Sequence, residues 1–167
     1  MQRHLPADAR YVGLDISSTM VSLARERLKP WSERARVYQS DGSPRIEESD
    51  RSFDRFVSTY VFDLLAPDFM AQLLSEARRL LAPGGRLCLV SLTHGMSRFS
   101  RAVCWGWEHV WRLSPGIVGG CHPIELLDYL PSNDWNPVYR ATLTSWGISS
   151  EVLVASKNVY PATAKSE

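Results

Sequence analysis

Tyr11-Val12-Gly13-Leu14-Asp15-Ile16-Ser17 is the stretch that decides the fold. A short apolar run of β-favouring residues ends in an acid, and a serine follows at once. Ser17 or Ser18 can accept a backbone hydrogen bond and open a helix. Val21, Ala24 and Leu28 then recur at helical spacing until Pro30 stops the run. A strand that passes directly into an amphipathic helix is the repeating unit of a sheet covered by helices.

The same alternation continues downstream. Arg36 to Ser40 reads as a second strand, closed by Asp41-Gly42, and Phe53 to Ser58 as a third. Asp68 to Leu81 is predicted to be helical, with Phe69, Leu73, Ala77 and Leu80 or Leu81 on one face. Ala82-Pro83-Gly84-Gly85 cannot continue that helix and reverses the chain. Arg86 to Leu92 is nearly all apolar, as a strand covered on both faces should be. Met96 to Leu113 reads as a helix carrying Trp105, Trp107 and Trp111, and a short helix is expected near Pro123 to Leu130. Val138 to Trp146 and Glu151 to Ser156 form two strands around a tight turn at Gly147, hence a hairpin. The residues after Lys157 are polar and expected to fray.

Composition narrows the function classes. At 167 residues, 44% of them hydrophobic and 22% charged, the chain can bury one ordinary core. Nineteen basic against 18 acidic residues leave a net charge of +1, which offers no attraction to nucleic acid or an anionic membrane. Arg25, Arg27, Lys29, Arg34 and Arg36 are interrupted by Glu26 and Glu33 and read as a solvated face. Cys88, Cys104 and Cys121 are odd in number and lack metal spacing, so no metal site is expected. Free thiols with no secretory leader point to the cytoplasm. No apolar run approaches the roughly 20 residues of a membrane span.

Four segments, in this order and spacing, resemble the class I S-adenosylmethionine-dependent methyltransferases. They are Gly13-Leu14-Asp15-Ile16-Ser17, Ser40-Asp41-Gly42, Phe53-Asp54-Arg55-Phe56-Val57-Ser58 and Leu80-Leu81-Ala82-Pro83-Gly84-Gly85-Arg86-Leu87. The closing hairpin suits that family too. The resemblance implies an α/β, Rossmann-like, mostly parallel sheet with helices on both faces and a C-terminal antiparallel hairpin. It implies one domain over 1–157, with an acceptor-side cap at 96–130 and a polar tail at 158–167.

The resemblance also assigns roles. Asp15, an acceptor-only carboxylate at a strand end, would take the ribose hydroxyls of S-adenosylmethionine, the competing reading being that it helps cap the next helix. Ile16 would lie against the adenine, or simply pack. Asp41 would accept from the adenine amine while Gly42 lets the backbone approach, although Asp-Gly is also a common turn. Ser58 and Tyr60 would line the methionine end of the cofactor.

One family feature is absent. Its glycine-rich loop, of form GxGxG, has no counterpart before Asp15, where Gly13 is the only glycine. Residues 1–10 read as the end of the helix that normally follows that loop, so the central first strand is expected to be missing. The second and fourth strands of the family's sheet would then expose unpaired edges, or close on each other in a new register. The 167-residue chain is accordingly expected to bind S-adenosylmethionine poorly.

The acceptor is expected to be a small, apolar molecule. A base is needed only if the acceptor must lose a proton. His94 is the catalytic candidate, with His122 beside it, although both positions also suit ordinary loop histidines. Ser58-Thr59-Tyr60-Val61 stands where amino methyltransferases carry an NPPY-type tetrapeptide, which argues against adenine or glutamine as acceptor. Trp107 and Trp111 share a helical face and Trp105 does not; plain cap packing explains them better than an acceptor pocket does. Two other readings compete: a non-catalytic binding or partner subunit that keeps the fold, and a nucleotide-dependent oxidoreductase. The Pro-Gly-Gly turn and the hairpin favour the methyltransferase.

Overall fold

The structure is a computed structural model, and it describes residue 6, residues 8–94, residues 105, 106 and 109, and residues 121–158. The chain divides into two compact units, Met1–Ser43 and Pro44–Glu167.

The first unit is a parallel pair of strands with one helix. Strand β1 spans Tyr11–Asp15, helix α1 Ser18–Leu28 and strand β2 Ala35–Gln39. Ser17 caps α1, its hydroxyl accepting from the Met20 amide at 3.4 Å. Pro30, in a 3-10 turn at Lys29–Trp31, ends the helical run as its missing amide requires. β1 and β2 run in register from Tyr11↔Ala35 to Asp15↔Gln39. Val21, Ala35 and Val37 are the buried apolar residues here.

The second unit holds a four-stranded mixed sheet. Strand β3 spans Phe53–Thr59, helix α2 Pro67–Leu80, strand β4 Leu81–Thr93, strand β5 Trp135–Ser145 and strand β6 Ile148–Lys157. The order is β3-β4-β6-β5, parallel between β3 and β4 and antiparallel beyond. The fold is α/β with the expected C-terminal hairpin. Trp146 and Gly147 form its two-residue turn, both at positive φ (53° and 82°), the backbone that matches the twist of paired strands.

Among the described residues, β1 pairs only with β2, and β3 only with β4.

The buried face of α2 is Met70, Leu74, Ala77 and Leu80; Phe69 and Leu73 are half-buried at its rim. The predicted stripe holds at Ala77 and Leu80, while its first half is displaced by one residue, from Phe69 and Leu73 to Met70 and Leu74. Leu74, Ala77 and Leu81 pack with Leu87, Leu89, Leu126, Trp135, Leu153 and Ala155. Each such leucine, fully enclosed, contributes about 2 kcal/mol. Lys157 donates from Nζ to the carbonyls of Arg78 (2.9 Å) and Leu81 (3.2 Å), satisfying the exposed C-terminal end of α2.

Ala82-Pro83-Gly84-Gly85 follows the end of α2 at Leu80 and makes its turn within the first residues of β4. The turn is absorbed into β4 as a bulge: Phe53 pairs with Leu81, and Arg55, two residues on, pairs with Arg86. Gly84 lies at φ 78°. A Cβ on Gly85 would come within 2.9 Å of the Ala82 carbonyl oxygen, so that position requires glycine. The expected helix over 96–113 lies outside the described residues, apart from Trp105, Gly106 and His109, which are helical; the rings of Trp105 and His109 stack at 5.4 Å. The helix expected near Pro123 to Leu130 is a 3-10 turn at Leu126–Tyr129.

Candidate functional site

In an open parallel sheet, strand ends at the carboxyl side present loops where ligands can reach backbone and side chains together. All six residues proposed for the cofactor stand at such ends, four in the first unit and two in the second.

In the first unit, Asp15 ends β1 and Asp41 follows β2 by two residues. The Ser40 amide donates to the Asp15 carbonyl at 2.9 Å, which brings Asp41 and Gly42 to the same end of the pair. Gln39 Nε2 donates to the Ile16 carbonyl at 3.2 Å and fixes the chain as it leaves β1. Asp15 Oδ1 accepts from the Ser17 amide at 2.8 Å, so the carboxylate does help open α1. Its other oxygen accepts no hydrogen bond among the described residues. Asp41 repeats the pattern, with Oδ1 taking the Ser43 amide at 2.8 Å in a local turn. Ile16 is 71% exposed, far more than a packing residue at a strand end would be. Gly42 lies at φ 88° with open space where a Cβ would stand.

In the second unit, Ser58 is buried near the end of β3 and Tyr60 follows it at φ 55°. Positive φ at a bulky residue costs energy and persists only when neighbours hold it. Here the Tyr60 amide donates to the Val90 carbonyl at 2.7 Å, and its hydroxyl meets Ser150 Oγ at 3.1 Å.

Sequence reasoning missed a buried polar cluster in this unit. The inward face of β4 and β6 is apolar at one end, where Leu87 opposes Ala155 and Leu89 opposes Leu153. Two residues further the pairs become Ser91 with Glu151 and Thr93 with Ser149, all buried. Asp63, in the 3-10 turn Phe62–Leu64 that follows β3, is wholly buried at this polar end. Its Oδ2 accepts weakly from the Leu92 amide at 3.5 Å, and its Oδ1 has no hydrogen-bond partner among the described residues. Burial pushes the Asp63 carboxyl above the ordinary carboxylate range, against the pull of its own and the Leu92 amide, the Ser91 hydroxyl and the His122 charge. The Ser91 hydroxyl faces the carboxyl without reaching full hydrogen-bond geometry. The one sequence signal was an acid inside the apolar run Val61-Phe62-Asp63-Leu64-Leu65, costly to bury without a task.

Residues 121–124 lie across this end. The His122 amide donates to the Asp63 carbonyl at 3.2 Å, and the Ile124 amide to the Leu92 carbonyl at 3.0 Å. His122 is half-buried with its Nδ1 inside; His94, just past β4, is exposed. Burial raises the Cys121 thiol, and the nearby Asp63 charge adds to it. Glu151 differs from Asp63 in being satisfied, by the Leu126 amide at 2.8 Å and by Arg140. Among the described residues no three His, Cys, Asp or Glu side chains are grouped to hold a metal, and no helix is long and apolar enough to cross a membrane.

A family model described as a methyltransferase domain matches residues 1–85, just over half of the 167. No curated protein matches the chain. Solved structures share its fold at low identity. A protein of Pyrococcus horikoshii OT3 is 16% identical, with 89% of this chain and 72% of that one covered at a TM-score of 0.66. A SAM-dependent methyltransferase of Methanosarcina mazei is 17% identical, with 89% and 82% covered at 0.66. The geranyl diphosphate C-methyltransferase of Streptomyces coelicolor A3(2), solved with Mg2+, geranyl diphosphate and S-adenosyl-L-homocysteine, is 12% identical, with 90% and 63% covered at 0.63.

Proposed function

The chain belongs to the methyltransferase-domain family, and from that premise we propose that it serves S-adenosylmethionine-dependent methyl transfer to a small-molecule acceptor. The observation that carries this reading is Asp15 at the carboxyl end of β1, one carboxylate oxygen spent on Ser17 and the other without a hydrogen bond among the described residues. A ribose diol needs an acceptor that is not already saturated, and this carboxylate meets that demand. Exposed Ile16 offers an apolar surface to an adenine ring. Asp41 keeps an acceptor oxygen for an exocyclic amine, beside a Gly42 backbone that nothing crowds. Ser58 and Tyr60 are the residues proposed for the methionine end. The cofactor supplies an electrophilic methyl group on a sulfonium; the protein's task is to hold it and align the nucleophile.

A small acceptor is supported by the geranyl diphosphate bound to one structural neighbour. We further propose that the 167-residue chain alone binds cofactor weakly. Support comes from the single pairing of β1 and of β3 among the described residues, a strand edge with one neighbour being held less firmly than one with two.

The test is a titration of the 15N-labelled chain with S-adenosylhomocysteine to millimolar concentration, read from amide shifts. Shifts are expected at Ile16, Asp41, Gly42, Ser58 and Tyr60, and Asp15→Ala should remove them. Absence of any shift overturns the cofactor reading. Low-micromolar affinity would overturn the proposed weakness alone.

A further inference from the structure

We propose that the outer face of the four-stranded sheet is a docking surface for one amphipathic helix of a partner protein, with acidic residues in the terminal turn that meets Arg55 and Arg86. This goes beyond methyl transfer and does not rest on it.

Side chains alternate between the two faces of a strand. Leu87, Leu89, Leu153 and Ala155 point to the core that α2 covers. The residues between them share the opposite face and line up in rows across the ladder. Arg55, Arg86, Ser156 and Asn136 make the first row. Val57, Cys88, Val154 and Tyr139 make the second, and Thr59, Val90, Val152 and Ala141 the third. Leu92 and Leu143 flank Ser150 in a fourth, which the Tyr60 hydroxyl reaches at 3.1 Å. Val57 is 46% exposed, Tyr139 56% and Leu143 64%, whereas Leu89 and Leu153 on the inner face expose 1%. An apolar sheet face of this breadth left in water marks an interaction surface.

Charge and size name the occupant. Arg55 and Arg86 are register partners on β3 and β4, both exposed, and like charges on neighbouring strands repel. Arg55 Nη1 donates to the Asp54 main-chain carbonyl at 2.7 Å, and among the described residues neither guanidinium meets a carboxylate. Burial raises the Cys88 thiol in the next row, and both guanidinium charges oppose that rise, so they reach the start of the apolar floor. The four rows hold no acid, so a second copy laid face to face has nothing to answer the arginines with.

The strand from Arg86 to Leu92 spans about 20 Å, and three strand spacings cover about 14 Å. One helix of roughly 13 residues, about 10 Å wide, fills that floor. An open sheet face lacks the concavity that a small ligand needs. A lipid surface would draw on cations spread around the patch, and here they stand at one end only.

The test uses the full chain with 13C-labelled valine methyls and two synthetic amphipathic peptides of about 13 residues. Both carry a leucine stripe at helical spacing; one has glutamates in a terminal turn and the other lysines. The glutamate peptide, titrated to millimolar concentration, should shift the Val57, Val90, Val152 and Val154 methyls, and the lysine peptide should bind several-fold more weakly. Arg55→Glu combined with Arg86→Glu should reverse that preference; both sites are exposed, and circular dichroism checks that the fold survives. Should it not, Val57→Ser should weaken the glutamate peptide several-fold while keeping its preference over the lysine one.

Absence of methyl shifts with the glutamate peptide overturns the proposal, as does equal binding of the two peptides or a preference that charge reversal leaves unchanged. Shifts of the same methyls with protein concentration alone would make the occupant a second copy. The same shifts produced by vesicles of phosphatidylserine and phosphatidylcholine, in place of the peptide, would make it a lipid surface; either result overturns the helix. No cofactor is present, so the outcome is independent of the titration with S-adenosylhomocysteine.

Discussion

Ser91 on β4 and Glu151 on β6 stand directly opposite each other across the antiparallel ladder, and neither exposes any surface. One register step of two residues away, Leu89 and Leu153 make the same pairing with hydrocarbon alone. Buried polar groups cost free energy unless fully hydrogen-bonded. Glu151 is satisfied; Ser91 and its neighbour Asp63 are not. The core of the second unit is therefore cheapest to form at one end and costly at the end that faces the loops.

That cost should be removable. Asp63→Asn keeps the acceptor for the Leu92 amide and discards the charge. The folded-state pKa of Asp63 is raised, so its favourable contribution is present below the unfolded value and is lost as pH rises through the folded one. The variant should match the wild type near pH 3.5 and exceed it by about 1 kcal/mol at pH 7. Thermal unfolding by circular dichroism across that range checks both the size and the sign. A less stable variant at pH 7 would make Asp63 a structural anchor.

Glu76 should behave in the opposite way. It is buried, with Oε1 accepting from the Ile46 amide at 2.8 Å and both oxygens engaged by Arg79. Arg79 also donates to the carbonyls of Ile46 and Glu48 and pairs with Asp50, tying this loop to α2. The Arg79 hydrogen bonds hold the Glu76 carboxyl below its ordinary range. Its contribution is present above the unfolded value and is lost as pH falls through the lowered one. Glu76→Ala should cost about 3 kcal/mol at pH 7, read from the urea midpoint, and the penalty should shrink in acid.

The hairpin turn carries an avoidable strain. Trp146 sits at φ 53° with 97% of its surface in water, so its ring returns nothing for the backbone it occupies. Trp146→Asn should stabilise the chain by about 0.5 kcal/mol, since asparagine tolerates that conformation. A loss of stability would mean that the indole is covered in solution, which the sedimentation coefficient of the wild type would then show.

Gly85 is the position in the bulge that admits no side chain. Gly85→Ala should cost about 2 kcal/mol, because the Ala82 carbonyl it would strike is backbone and must shift. Gly84→Ala, where space is open, should cost about 1 kcal/mol from its positive φ alone. Equal losses at both positions would remove the steric argument; paired denaturation curves decide.

What was legible in the sequence is what local patterning controls. The bounds of β1, the serine cap and proline stop of α1, and the hairpin all follow from residues within a few positions of one another. So do the strand-end places of Asp15, Asp41 and Ser58, since an acid or serine closing an apolar run falls there whatever surrounds it. The first half of the stripe on α2 was misplaced by one residue, because hydrophobicity cannot say which of Phe69 and Met70 is covered, whereas Ala77 and Leu80 were placed correctly.

The tertiary structure alone decided the rest. Whether the Pro83-Gly84-Gly85 turn stands outside a strand or within one depends on whether a neighbouring strand captures the residues on both sides, and β3 does so. The buried group at Asp63 joins residues about 60 positions apart in the chain, and its register opposite Ser91 and Glu151 exists only once β4 and β6 pair. Periodicity encodes which face is dry, but burial of a charge and the neighbour that answers it depend on what packs there, and that information is spread along the whole chain.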